Sequence, residues 1–147
     1  MSKSAKIFFL SCALVISMFV TVYTVIIISG YKEENSKTED VKIVNSIKPE
    51  EAKKNLENDN NIVLLDVRTK EEYIDVHIPG SILIPNDVIK KEVEMKIKDK
   101  ENTIYVYCRS GNRSRTAVTE LVKMGYTNVY DLGGIQEWPY ETESGER

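Results

Sequence analysis

The sequence predicts an α/β domain, an open parallel sheet of about five strands with helices on both faces, preceded by one transmembrane helix. Three observations carry this. Ile62-Val63-Leu64-Leu65-Asp66-Val67 is a nearly continuous apolar run followed by a helical segment, the pattern of a strand buried on both faces. Short apolar or β-branched strands then alternate with helical segments to the end of the chain, the order that builds a parallel sheet. Residues 7–29 hold no charged side chain.

The uncharged stretch, Ile7 to Ser29, is 23 residues long. As a helix at ~1.5 Å per residue it reaches about 35 Å, enough for a ~30 Å hydrocarbon core. Lys3 and Lys6 precede it, and Lys32, Glu33 and Glu34 follow. The positive-inside bias puts the amino terminus in the cytoplasm and the domain outside. The expectation is a single-pass protein of the cell membrane, anchored through residues 7–29, with its domain extracytoplasmic. A cleaved signal, leaving a secreted domain, is the other reading. Against it, Ile27 and Ile28 stand where small residues would be expected. Lipidation at Cys12 is disfavoured, because only Ile7 to Leu10 precede it as an apolar run. The chain divides into an anchor or uncleaved signal over 1–30, a polar tether over 31–40 and a domain over 41–147.

Within the domain, Val41 to Val44 is expected as a short first strand. Ser46, just before Pro49-Glu50, marks a helix start, with Ile47, Ala52 and Leu56 on its apolar side. Asn58 to Asn61 ends that helix, and the Ile62 strand follows. A short helix runs from Thr69 or Lys70 to Ile74. Ser81 to Ile84 is the next strand, stopped by Pro85, and Asn86 is expected to cap a helix from Asp87 to about Lys98. Thr103 to Tyr107 is a β-rich strand, and Arg113 to Met124 a helix with Ala117, Val118, Leu121, Val122 and Met124 as its apolar stripe, ended by Gly125. Asn128 to Tyr130 is the last strand. Gly133-Gly134 is expected to open a turn of helix through Trp138, stopped by Pro139. Tyr105 and Tyr107 are expected on opposite sides of the sheet, with their hydroxyls near its margins.

Composition excludes several functions. The formal net charge is -3, and without Lys3 and Lys6 the remainder carries 18 basic and 23 acidic residues. That balance of -5 and the lack of a basic run argue against nucleic-acid binding. There are two cysteines, Cys12 in the apolar segment and Cys108 in the domain, and one histidine. An intrachain disulfide framework and a metal site are both unsupported, and no cofactor is expected.

The chemistry is expected at Cys108. It lies at the carboxyl end of a strand and faces the amino end of a helix, where anions are held and thiol pKa values fall. Ligands on open parallel sheets bind beyond this edge. Asp66 and Arg68, at the carboxyl end of an earlier strand, lie on the same edge.

Three separated motifs carry a resemblance. Asp66-Val67-Arg68-Thr69-Lys70-Glu71-Glu72-Tyr73 is followed by His77-Ile78-Pro79-Gly80-Ser81; then come Tyr107-Cys108-Arg109-Ser110-Gly111-Asn112-Arg113-Ser114, and Leu132-Gly133-Gly134 with Trp138. In order and spacing they resemble the signatures of the rhodanese-like domain, of the single-domain thiosulfate sulfurtransferase type, over about Val41 to Tyr140. Val76 departs from the pattern, since the family usually has glycine before the histidine. That implies a locally altered turn.

The resemblance implies a sulfurtransferase. Cys108 would take a sulfane sulfur from a small anionic donor such as thiosulfate, become a persulfide, and pass the sulfur to cyanide or a thiol. Three sources of activation are visible: the positive end of the helix near Arg113, amides of residues 109–114 curled around the sulfur, and the charges of Arg109 and Arg113. Arg109, Ser110, Gly111, Asn112, Arg113 and Ser114 would form the donor and persulfide cradle, with Gly111 permitting the tight turn. Arg109 recognises the anion or is a solvated charge. Arg113 either does the same or pairs with a carboxylate and braces the loop. Asp66 and Arg68 brace the rim as an ion pair, or Arg68 reaches the donor. His77 is read as structural, Trp138 as packing, and Arg115 as solvent-facing.

Three rivals remain. A cysteine phosphatase, or an arsenate reductase on the same fold, needs an arginine six positions after the nucleophile; here that residue is Ser114, with arginines at five and seven. A non-catalytic module would display the same surface without turnover. A thiol–disulfide oxidoreductase lacks a nearby resolving cysteine.

Overall fold

The computed structural model describes Tyr23 and residues 44–145. Apart from Tyr23, the expected membrane segment over 7–29 lies outside the described residues, as do the tether over 31–40 and residues 41–43. Among the described residues no helix is long and apolar enough to cross a membrane.

The chain forms β1 (Asn45–Ser46), α1 (Pro49–Asn58), β2 (Val63–Asp66), α2 (Lys70–Asp75), β3 (Ile82–Leu83), α3 (Ile89–Lys96), β4 (Thr103–Cys108), α4 (Asn112–Lys123) and β5 (Asn128–Gly134). A 3-10 turn, Ile135–Glu137, follows. The five strands make one sheet in the order β1-β5-β4-β2-β3. All four pairings are parallel, as the alternation of strands and helices predicts.

Two apolar layers cover the sheet. On one face Leu65, Val67, Ile104, Val106 and Cys108 pack with Ile89 and Val93 of α3 and Ala117, Val118 and Leu121 of α4. On the other, Leu64, Tyr105, Tyr107 and Leu132 pack with Ala52 of α1 and Trp138. Side chains along a strand alternate between faces, so Cys108 faces α4 while Tyr107 points away from it. The same rule corrects the placement expected for the tyrosines. Tyr105 and Tyr107 stand two residues apart and share one face. Nor does the Tyr107 hydroxyl reach the margin: buried, it accepts from the Ile78 N–H at 3.1 Å and bonds Ser81 Oγ at 3.0 Å.

Three boundaries also differ from expectation, and one expected irregularity is present. The first strand falls at Asn45–Ser46, with Val44 outside it, so Ser46 is strand and Lys48 is the N-cap before Pro49. Asn86 lies in a turn and α3 starts only at Ile89, after Val88, with no side-chain cap. β5 runs past Tyr130 to Gly134, because β4 runs on to Cys108 and pairs Tyr107 with Gly133 and Cys108 with Gly134; Gly134 is then the N-cap of the 3-10 turn Ile135–Glu137, which ends at Trp138 as expected. Val76 ends α2 in extended backbone, φ -160° and ψ 134°, which a β-branched residue adopts without strain; this is the altered turn.

The strand order reverses direction between β2 and β4. The crevice beyond the carboxyl ends of these two strands is where open α/β sheets place their ligands. Asp66 ends β2 and Cys108 ends β4. Topology alone therefore brings the two motifs to one edge.

Candidate active site

The thiol is set by its own strand, a three-residue loop and the first turn of α4. Cys108 is 1% exposed. After it, Arg109, Ser110 and Gly111 reverse the chain, and Gly111 is the N-cap of α4 with φ 92°, a conformation that disfavours any residue with a Cβ. This turn aims the Gly111 N–H at Cys108 Sγ, 3.1 Å away. Ser114 follows on the buried stripe of α4, with Ala117, Val118 and Leu121. The spacing puts its hydroxyl directly under the loop, with Sγ 3.7 Å from Oγ.

Burial pushes the Cys108 thiol up. The backbone amides of Ser114, Ser110 and Gly111 pull it down further, and the net direction is down. The activating groups are thus chiefly main-chain dipoles at a helix amino end. A cradle of this kind suits a thiolate, and equally the outer sulfur of a persulfide.

The arginines divide. Arg113 is paired: its Nη1 donates to Glu72 Oε2 at 2.6 Å and its Nη2 to Oε1 at 2.8 Å, a bidentate clamp. Of the two roles open to Arg113, the structure gives it the bracing one. Glu72 is also the N3 residue of a capping box, accepting from the Thr69 N–H at 3.1 Å while Thr69 Oγ1 accepts from the Glu72 N–H. The hydrogen bonds from Arg113 pull the Glu72 carboxyl down to about 2. The clamp ties α2 to α4. Arg109 and Ser110 are exposed on the loop, Asn112 is exposed at the first position of α4, and Arg115 is solvent-facing further along it.

Asp66 and Arg68 form the expected ion pair, fully enclosed at 0% and 3% exposure. Arg68 Nη2 donates to Asp66 Oδ2 at 2.6 Å and Nε donates at 2.9 Å; the Arg68 N–H donates to Oδ1 at 2.8 Å. Burial opposes the Arg68 charge, and Asp66 more than offsets that, so its pKa stays raised. Nη2 also donates to the Val76 carbonyl at 2.6 Å and the guanidinium lies over the Tyr107 ring. The pair braces the rim.

His77 is structural. Its ring stacks on Tyr73, Nδ1 bonds the Tyr73 carbonyl at 2.8 Å and Nε2 lies 3.2 Å from Glu143. Trp138 is buried in the α1-side layer. Among the described residues no three His, Cys, Asp or Glu side chains gather as a metal site.

Three residues escaped the sequence reading. Glu72 was legible as the last residue of Thr69-x-x-Glu. Asp131 lies two residues after buried Val129 on the α4 face of β5, a carboxylate at a core position. Gly134 touches the loop: a Cβ there would lie 2.6 Å from the Arg109 carbonyl oxygen and 2.8 Å from Ser110 Cα. Only the absence of a side chain lets the loop pack onto β5.

The Rhodanese-like domain family matches residues 48–141, and the chain belongs to that family. It is 38% identical over 73 residues to thiosulfate sulfurtransferase PspE of Escherichia coli, covering 50% of this chain and 70% of that protein. It is 46% identical over 76 residues to the adenylyltransferase and sulfurtransferase uba4 of Ogataea parapolymorpha, covering 51% of this chain but only 19% of the relative. The crystal structure of a rhodanese-like domain protein from Staphylococcus aureus superposes with a TM-score of 0.60 at 31% identity, covering 70% of this chain and all of the other.

Proposed function

We propose that this protein is a sulfurtransferase that carries sulfane sulfur on Cys108, from an anionic donor such as thiosulfate to a thiophilic acceptor, cyanide or a thiol. One observation carries the reading: a buried thiol of lowered pKa, ringed by backbone amides, at the switch point of a rhodanese-like sheet. The Cys108 thiolate attacks the outer sulfur of thiosulfate; an S–S bond forms between Sγ and that sulfur, the S–S bond of the donor breaks, and sulfite leaves with the electron pair. Cyanide then attacks the outer sulfur, thiocyanate departs, and the thiolate returns. No general base is needed once the thiolate is formed. The amides of Ser110, Gly111 and Ser114 hold charge on whichever sulfur bears it, and exposed Arg109 meets the donor's sulfonate. Asn112 completes the loop rim.

The residue six positions after the nucleophile is Ser114, buried beneath the loop, so no guanidinium encircles a phosphoryl group there. The protein is further read as anchored through residues 7–29 with its domain outside the cytoplasm, or secreted if that segment is cleaved. The uncharged 23-residue run and the lysines before it support this. Paired turnover tests the activity. Thiosulfate with cyanide is expected to yield thiocyanate, and an aryl phosphate no product; phosphate release without thiocyanate overturns the reading.

A further inference from the structure

Beneath the loop lies a carboxylate for which the steps above have no use. Ser114 Oγ has one proton and three acceptors in reach: Asp131 Oδ1 at 2.6 Å, the Gly111 carbonyl at 3.0 Å and the Gly133 carbonyl at 3.4 Å. The shortest contact is also to the only charged acceptor, so the proton belongs to Asp131. Asp131 is itself fixed: Oδ1 accepts from the Gly133 N–H at 3.0 Å, and the residue is 7% exposed. With its proton committed, Ser114 Oγ turns lone pairs toward Sγ, 3.7 Å away, and accepts from the thiol.

We propose that Asp131 is a positioning residue of the reaction, acting through Ser114: it holds the hydroxyl as an acceptor for the Cys108 thiol, and that hydroxyl must leave Asp131 before it can donate to the thiolate. The chain Cys108–Ser114–Asp131 thereby links the charge on sulfur to a carboxylate on β5. The groups around it are few. Arg115 of α4 faces Asp131, Nε 3.9 Å from Oδ2. From β1, Ser46 stands in register with Asp131 and Asn45 beside it, neither charged. From β4 the neighbour in register is Val106. Arg113, paired with Glu72, acts on Cys108 by its charge.

The inference rests on Cys108 being the reacting group, and deepens the sulfur-transfer reading. Its test is a titration of the Cys108 thiolate by ultraviolet absorbance in the full chain, with no donor present. Asp131→Asn keeps an oxygen to accept from Ser114 and Gly133 but weakens its hold on the proton. It is expected to lower the Cys108 midpoint by about one unit, tenfold in thiolate below the midpoint. In a Ser114→Ala background the same substitution is expected to move the midpoint by less than half as much. No shift, an upward shift, or an equal shift in both backgrounds overturns the proposal, the last by showing that charge alone acts. The wild-type chain gives a check that needs no Asp131 variant to fold: the Asp131 carboxyl carbon resonance is expected to inflect where Cys108 ionises, and a flat trace overturns the proposal. Since no sulfur is transferred, a failed coupling and a failed sulfurtransferase give separate results.

Discussion

Gly134→Ala adds one methyl group under the loop. The added carbon would sit 2.6 Å from the Arg109 carbonyl oxygen and 2.8 Å from Ser110 Cα, both backbone atoms. Comfortable contact lies at about 3.5 Å or more, so loop and strand must part by about 1 Å. Such overpacking costs about 1–3 kcal/mol, a fall of roughly 5–20 °C in Tm for a domain of this size. The chemical consequence is sharper. If Gly111 moves with the loop, its 3.1 Å contact to Sγ opens to about 4 Å and that hydrogen bond is largely lost. A hydrogen bond to a charged group contributes ~1.5–3 kcal/mol, which sets the loss at about one to two pKa units. The assay is the pH dependence of iodoacetamide alkylation, read beside thermal unfolding. Gly134→Ala is expected to melt lower and to need a higher pH for half-maximal alkylation. A variant with the wild-type alkylation profile would refute the reasoning that amide geometry sets the thiol.

Glu72→Gln breaks the clamp on Arg113. The Glu72 carboxyl titrates at about 2 against an ordinary 4.5, so its stabilisation is whole above pH 4.5 and is lost as pH falls toward 2. The clamp is partly exposed, so the variant is expected to lose only about 1 kcal/mol at pH 7 by denaturant titration, and to show a flatter decline below pH 4.5. Asp66→Asn leaves the Arg68 guanidinium buried without its anion and is expected to cost about 3–5 kcal/mol in the same measurement. Tyr107→Phe strands the Ile78 N–H and Ser81 hydroxyl away from water, for a loss of about 1–3 kcal/mol with the thiol titration unmoved.

What was legible in the chain follows from what periodicity encodes. The Ile62 run, the α4 stripe and the β4 sequence identify strand and helix because burial imposes its spacing on them. The position of Cys108 follows, since it stands at the junction. The length of β5 was hidden, because Gly133 and Gly134 carry no strand propensity and are strand only by pairing with Tyr107 and Cys108. The start of α3 was misread because Asn86 has cap chemistry but sits in a turn that the edge of the sheet dictates. Pairings over long separations, such as Arg113 with Glu72 and Ser114 with Asp131, leave no local trace. The alternatives for Arg113 could close only once folding brought α2 beside α4.

Intact mass of the full chain after incubation with thiosulfate tests the central claim most directly. The account predicts a gain of one sulfur atom, removed by a thiol reductant or by cyanide and absent from Cys108→Ser. A chain that gains no sulfur, or a Cys108→Ser variant that gains as much as the wild type, would contradict it.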